Sequence, residues 1–92
     1  MIYIKQIMTH HKLPEVEKRL AMIEGHIKGI RKMIADGKKY PEIVHQITAV
    51  RASLDGAMGL IIEDLVEGVS QAPHGKRKQA TAELKDSLSN IL

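Results

Sequence analysis

Residues 13 to 34 set an apolar side chain at Leu13, Val16, Leu20, Ile23, Ile27, Ile30 and Ile34, at spacings of 3, 4, 3, 4, 3 and 4. That alternation brings its members to one side of an α-helix, as in the seam of a coiled coil or helical bundle. The spacing resumes at Ile43 and runs through Ile47, Val50, Leu54, Ala57 and Ile61 at 4, 3, 4, 3 and 4. A second row, Val44, Met58 and Leu65, lies beside it, with Arg51 in its vacant place. No strand signal, repeat or low-complexity tract interrupts this pattern, so the chain is expected to be all-α.

Punctuation residues set the helix limits. Pro14 stands where a first-turn proline is tolerated, Glu15 and Glu17 suit the positive start of a helix, and Gly37 after Asp36 is a stop signal. A first helix is therefore expected over residues 13 to 36, after an N-terminal tail of residues 1 to 12. Pro41 and Glu42 open a second over residues 41 to 69, which at about 1.5 Å per residue spans roughly 40 Å. Gln71, Ala72, Pro73, His74 and Gly75 form a break, and Ala80, Leu84, Leu88 and Ile91 mark a third helix over residues 76 to 91. At 92 residues the chain is expected to form a single helical domain.

A monomer of this composition has a thin core. There is no Phe or Trp and only two Tyr, and a chain this short buries a limited fraction of its surface. The second helix carries two apolar rows, more than one neighbour and a stub can cover. Self-association is expected, as an antiparallel helical bundle shared between protomers. Gly56 and Gly59 fit a close approach of another backbone; simple tolerance inside the helix is the alternative.

The hydrophobic share of 43% against 27% charge places the chain among soluble globular proteins rather than disordered ones. It has no cysteine, which rules out disulfides and thiolate-bound metals and suits a reducing compartment. The N-terminal MIYIKQIM is too short and too polar for a signal peptide or membrane span, so a cytoplasmic protein without membrane attachment is expected. Charge is segregated along the chain. Residues 1 to 39 carry +5, residues 40 to 72 carry −4, and residues 73 to 92 carry +2. Such segregation suits a surface that meets an anion, nucleic acid foremost, and equally a solvated surface. No nucleophile–base–acid set, glycine-rich phosphate loop or pocket of paired carboxylates is present, so no enzyme is expected. Glu63, Asp64 and Glu67 read as the solvated end of the second helix.

Two stretches carry a family resemblance. RLAMIEGHIKGIRKMI at residues 19 to 34 and QITAVRASLDGAMG at residues 46 to 59 resemble the copper-sensitive operon repressor family, whose relatives include nickel/cobalt-responsive and formaldehyde-responsive repressors. The likeness spans roughly residues 13 to 70. It implies a three-helix protomer that dimerises as an antiparallel four-helix bundle, with dimers pairing to tetramers. It further implies repression by binding double-stranded operator DNA without a helix-turn-helix, and release when an effector occupies the dimer interface.

The family's copper site joins a cysteine near the start of the second helix to a histidine-x3-cysteine pair near its end. Counted from Arg51, the arginine of the QI-x-A-x-R stretch, these positions fall on Tyr40, Leu65 and Val69. A neutral phenol is a poor Cu(I) donor, and Leu and Val have none. The resemblance thus implies a member without the usual copper ligands, in which Leu65 and Val69, four apart on one face, fill the site with hydrocarbon and Tyr40 covers it. An organic-effector pocket at the same place is the alternative. No metal or cofactor is assigned, and the effector stays unidentified. His10 and His11 are adjacent and diverge, His26 stands where the family tends to have Gln, and Glu42 with His45 supplies only two ligands where zinc usually needs at least three. The histidines read as solvated or hydrogen-bonded side chains.

For DNA, Lys18, Lys28 and Lys32 fall on the outward side of the first helix and Arg19 and Arg31 flank its seam, a row suited to phosphates rather than base edges. Arg19 aligns with an arginine that contacts DNA in relatives. Arg51 admits two readings, a phosphate contact and an ion pair that orders the dimer. The KRK run at residues 76 to 78 is either a further phosphate contact or a solvated tail. The main alternative to a repressor is a helical interaction module that does not bind DNA, such as a partner subunit for a metal-binding paralogue.

Overall fold

The structure, a computed structural model, describes residues 11–91. Among them are three α-helices and one 3₁₀ turn, with no strand: α1 (Leu13–Ala35), α2 (Tyr40–Gln71), the turn His74–Lys76 and α3 (Arg77–Ile91). The sequence signals put the helices at residues 13 to 36, 41 to 69 and 76 to 91. The described residues divide into two compact units, one spanning Pro14–Gly59 and the other joining residues 11–13 to residues 60–91. The first is a helical hairpin.

The hairpin turn is built from local hydrogen bonds. The Lys38 N–H donates to the Met33 carbonyl at 3.0 Å and the Gly37 N–H to the Ile34 carbonyl at 3.1 Å, the paired bonds of a Schellman motif. Gly37 has φ +72°, a left-handed conformation that crowds any Cβ against the backbone. On the far side, the Glu42 carboxylate reaches back to the Lys39 N–H at 3.3 Å, and the Glu42 and Ile43 N–H groups donate to the Lys39 carbonyl. This is half of a capping box, with Pro41 in the first turn, where its missing N–H costs nothing. Gly37→Ala is expected to lower stability by about 1 kcal/mol through the left-handed strain. A urea titration whose midpoint falls while its slope is unchanged would establish it.

Packing splits the apolar ladder in two. Val16, Ile23 and Ile30, seven apart on α1, are buried, as are Val50 and Ala57 on α2. Ile23, Ile30 and Val50 form one cluster with Ile43 packed against it. The intervening members, Leu20, Ile27 and Ile34 on α1 and Ile47 and Leu54 on α2, remain exposed. One heptad row therefore closes the hairpin, and the other is left uncovered by this chain. The expected thinness of the core is visible throughout, since no large side chain among the described residues is fully buried.

Among the described residues, no backbone outside their own helical turns lies within 4 Å of a Cβ built at Gly56 or Gly59. A Cβ at Gly56 would stand 3.5 Å from Nη1 of Arg19, ordinary contact with a side chain, and one at Gly59 would meet nothing within 4 Å. The approach anticipated from sequence is by the backbone of another protomer, and the open space at Gly59 on its own chain is compatible with it.

The second unit carries α3, on which Ala80, Leu84 and Leu88 are half-buried and Ile91 is exposed. Leu65 is buried in this unit, and so is one charged residue, Asp64.

Candidate functional site

The cationic residues singled out on α1 all lie in the hairpin unit and all are exposed. Lys18, Lys28 and Arg31 form no ion pair with any described residue. Lys32 meets the Asp36 carboxylate four residues on at 3.5 Å, a solvent-exposed pair of small energetic value. Arg19 is held differently. One guanidinium nitrogen donates to Glu15 at 3.3 Å and the other lies over Gly56 on α2, so its stem and head are part of the hairpin. Arg51 is exposed in the row between Val44 and Met58 and has no partner among the described residues.

A groove runs beside Arg19, lined by Pro14, Glu15, Lys18, Met22, Ile23, His26 and Ser53. At its end the Nε2–H of His26 donates to Oε1 of Gln46 at 2.7 Å, a part-buried bond joining the two helices of the hairpin. That bond satisfies one polar end of a ring whose body packs at the interhelix contact. His26 is therefore a hydrogen-bonded structural histidine. His45 is exposed.

Tyr40, Leu65 and Val69, expected from the resemblance to stand at the copper-ligand positions, have different surroundings. Tyr40, the first residue of α2, is 83% exposed, so this chain alone does not bury its ring as a cover would require. Leu65 is 8% exposed and Val69 is half-buried, both in the second unit.

A corner of that unit was not anticipated. Asp64 is not part of a solvated helix end: its side chain is only 5% exposed, with Oδ2 accepting the Lys12 N–H at 3.2 Å. Its Oδ1 is 3.1 Å from Nδ1 of His11, without hydrogen-bond alignment, and is a buried oxygen with no hydrogen-bond partner among the described residues. Nε2 of the same imidazole is 3.1 Å from Glu67. Lys12 completes the corner with its ammonium 3.5 Å from Glu63 and 3.7 Å from Glu67. The sequence did hold the signal. Ile43, Val50 and Ala57 are seven apart on α2, and the next step of seven is Asp64, a carboxylate in the register of the inward row. His10 lies outside the described residues.

The described residues thus form an all-α protein with a helical hairpin and exposed cations on its first helix. The sequence profile of a family described as metal-sensitive transcriptional repressors matches residues 12–90, and the chain belongs to that family. Among solved structures, it is similar to the nickel-responsive transcriptional regulator InrS, at 36% identity and a TM-score of 0.77 over 87% of this chain and 92% of that one. None of the curated proteins matches it. The chain is a regulator and not an enzyme. No helix among the described residues is long and apolar enough to cross a membrane.

Proposed function

We propose that the chain represses transcription by binding duplex operator DNA as a homo-oligomer, through the cationic face of α1, and that its effector is not Cu(I). The observation that carries the reading is the exposed set Lys18, Lys28, Arg31 and Arg51, in one compact unit and without ion-pair partners among the described residues. Unpaired charges, three of them on α1 and Arg51 on α2, keep their full attraction for phosphates, and release of counterions from DNA supplies the affinity. With no aromatic side chain among them, stacking on single strands is poorly served. Selectivity then rests on duplex shape, a few arginines and repetition of the patch.

Support for the oligomer comes from the uncovered heptad row. Leu20, Ile27, Ile34, Val44, Ile47 and Leu54 are all exposed in a single hairpin, more than scattered surface residues would explain. A second hairpin laid antiparallel across them would bury the row and complete a four-helix bundle, and pairing of such dimers would give a tetramer. The same assembly would bring another copy to Gly59, which has open space on its own chain.

The copper reading follows from donor chemistry. Leu65 and Val69 offer no lone pair, and Tyr40 offers a neutral phenol, so these positions do not fit a Cu(I) site. No step of the proposed regulation runs through that ion. The family and InrS support sensitivity to some metal, and another site or another effector must supply it.

Mobility-shift titration against duplex DNA from the chain's own promoter, at two salt concentrations, tests the reading. Binding should weaken steeply with salt, with a log–log slope of about −0.9 per phosphate neutralised. Binding that is absent, or that ignores salt, would leave the helical interaction module as the better account.

A further inference from the structure

We propose that His11, Asp64 and Glu67 form a binding site for one divalent cation of the borderline class, such as Zn²⁺, Ni²⁺ or Co²⁺. All three belong to the same compact unit, and one ligand atom from each lies within 4.8 Å of the others. Bonds of about 2.0–2.2 Å from a metal to imidazole nitrogen and carboxylate oxygen require that triangle to contract, which side-chain rotation of the partly exposed His11 and Glu67 can supply. The set is one nitrogen and two oxygens. It lacks the sulfur that Cu(I) favours, and its imidazole selects against Mg²⁺ and Ca²⁺, which prefer oxygen alone.

The independent sign of a ligand is Asp64. Its side chain is 5% exposed, and Oδ1 is buried without a hydrogen bond from any described residue, its one close contact being the His11 ring at 3.1 Å. A buried carboxylate oxygen left in that condition is costly unless something positive completes it. Its other oxygen is fixed by the Lys12 N–H at 3.2 Å, which orients the carboxylate as an outer-shell bond orients a metal ligand. Glu67 is partly exposed and can turn toward the ion, and His11 is exposed enough to admit it. Asp64 faces Nδ1 of the ring and Glu67 faces Nε2, so an ion held by Nδ1 and Asp64 requires Glu67 to swing away from Nε2 and round to the ion. Three protein ligands leave further positions to water or to another group. Lys12 opposes the ion: its ammonium already pairs with Glu63 and Glu67 and must yield part of that contact.

These residues are distinct from Tyr40, Leu65 and Val69. As the place where an effector acts, the site rests on the repressor reading; as a cation site it stands without it. Co²⁺ is the probe. The full chain, without DNA, is titrated with Co²⁺ and followed by visible absorption and calorimetry, beside His11→Ala, Asp64→Asn and Glu67→Gln, each checked for helix content by circular dichroism. The expected result is saturable binding of one ion per chain, weakened in folded His11→Ala and Glu67→Gln by at least the roughly 10–100-fold that loss of an outer-shell partner costs. Absence of saturable binding, or binding indifferent to both substitutions, would overturn the proposal and leave the two carboxylates as a clasp for the imidazole. Since DNA is absent, a chain that binds Co²⁺ but no duplex sinks only the repressor reading. A chain that binds duplex but no Co²⁺ sinks only the site.

Discussion

Lys28→Ala combined with Arg31→Ala is expected to weaken operator binding by at least about 100-fold while leaving the fold intact. A hydrogen bond to a charged group contributes about 1.5 kcal/mol at the lower end, so two lost contacts per chain cost about 3 kcal/mol, more than a factor of 100. Repetition by the oligomer enlarges the loss. Both side chains are exposed and unpaired among the described residues, and surface changes of that kind move stability by about 0.5 kcal/mol or less. The salt slope should fall by about 1 for every phosphate contact removed. Arg19→Ala makes the useful contrast. Its guanidinium is engaged with Glu15 and lies over Gly56, so this substitution should cost stability as well as affinity. Lys32→Ala should do less than either change on the α1 face, because Asp36 already occupies its charge. Mobility shifts beside urea titrations separate the two quantities, and a double variant that binds as tightly as the parent would remove the α1 face from the interface.

The ladder made the helices legible because a period of 3.5 has only one regular solution, and the start and stop residues Pro41, Glu42 and Gly37 carry their own backbone chemistry. What the ladder alone did not separate was its two rows. Val16, Ile23 and Ile30 are buried while Leu20, Ile27 and Ile34 are exposed, although all six are apolar and lie on one seam. Periodicity reports that a residue seeks burial, not which partner provides it. The candidate site was legible unevenly for a similar reason. Cations on α1 could be placed because exposed charge is a local property of a helix face. The corner at Asp64 depends on His11, 53 positions away in sequence, and adjacency to Glu63 and Glu67 disguised it as one more acid at a helix end. Only the step of seven from Ala57 sets Asp64 apart from those two neighbours. His26 shows the reverse case: its position suggested a hydrogen-bonding side chain, but its partner Gln46 comes from tertiary packing of the hairpin.

Tyr40→Cys, Leu65→His and Val69→Cys made together should turn a chain that takes no Cu(I) from a competing chelator into one that binds about one ion per chain tightly. Donor atoms alone make the difference. Thiolate and imidazole are the groups Cu(I) favours, and positions 65 and 69 lie four apart on one face of α2, where a histidine and a cysteine can grip the same ion. The third donor, at position 40, is expected from the second chain of the dimer. Tyr40 is 83% exposed on its own chain, which leaves that position open to a partner. Leu65→His carries a cost, because residue 65 is 8% exposed and a polar group placed there without a partner loses about 1–3 kcal/mol. The single substitution should therefore destabilise the chain without conferring copper affinity, while the triple variant should recover stability when Cu(I) is added, as binding to the folded state requires. Val69→Cys with Tyr40→Cys but Leu65 retained should bind more weakly than the triple variant. If the triple variant stays oligomeric and still fails to hold copper against the chelator, the three positions do not meet, and the placement of the lost site on Tyr40, Leu65 and Val69 is wrong.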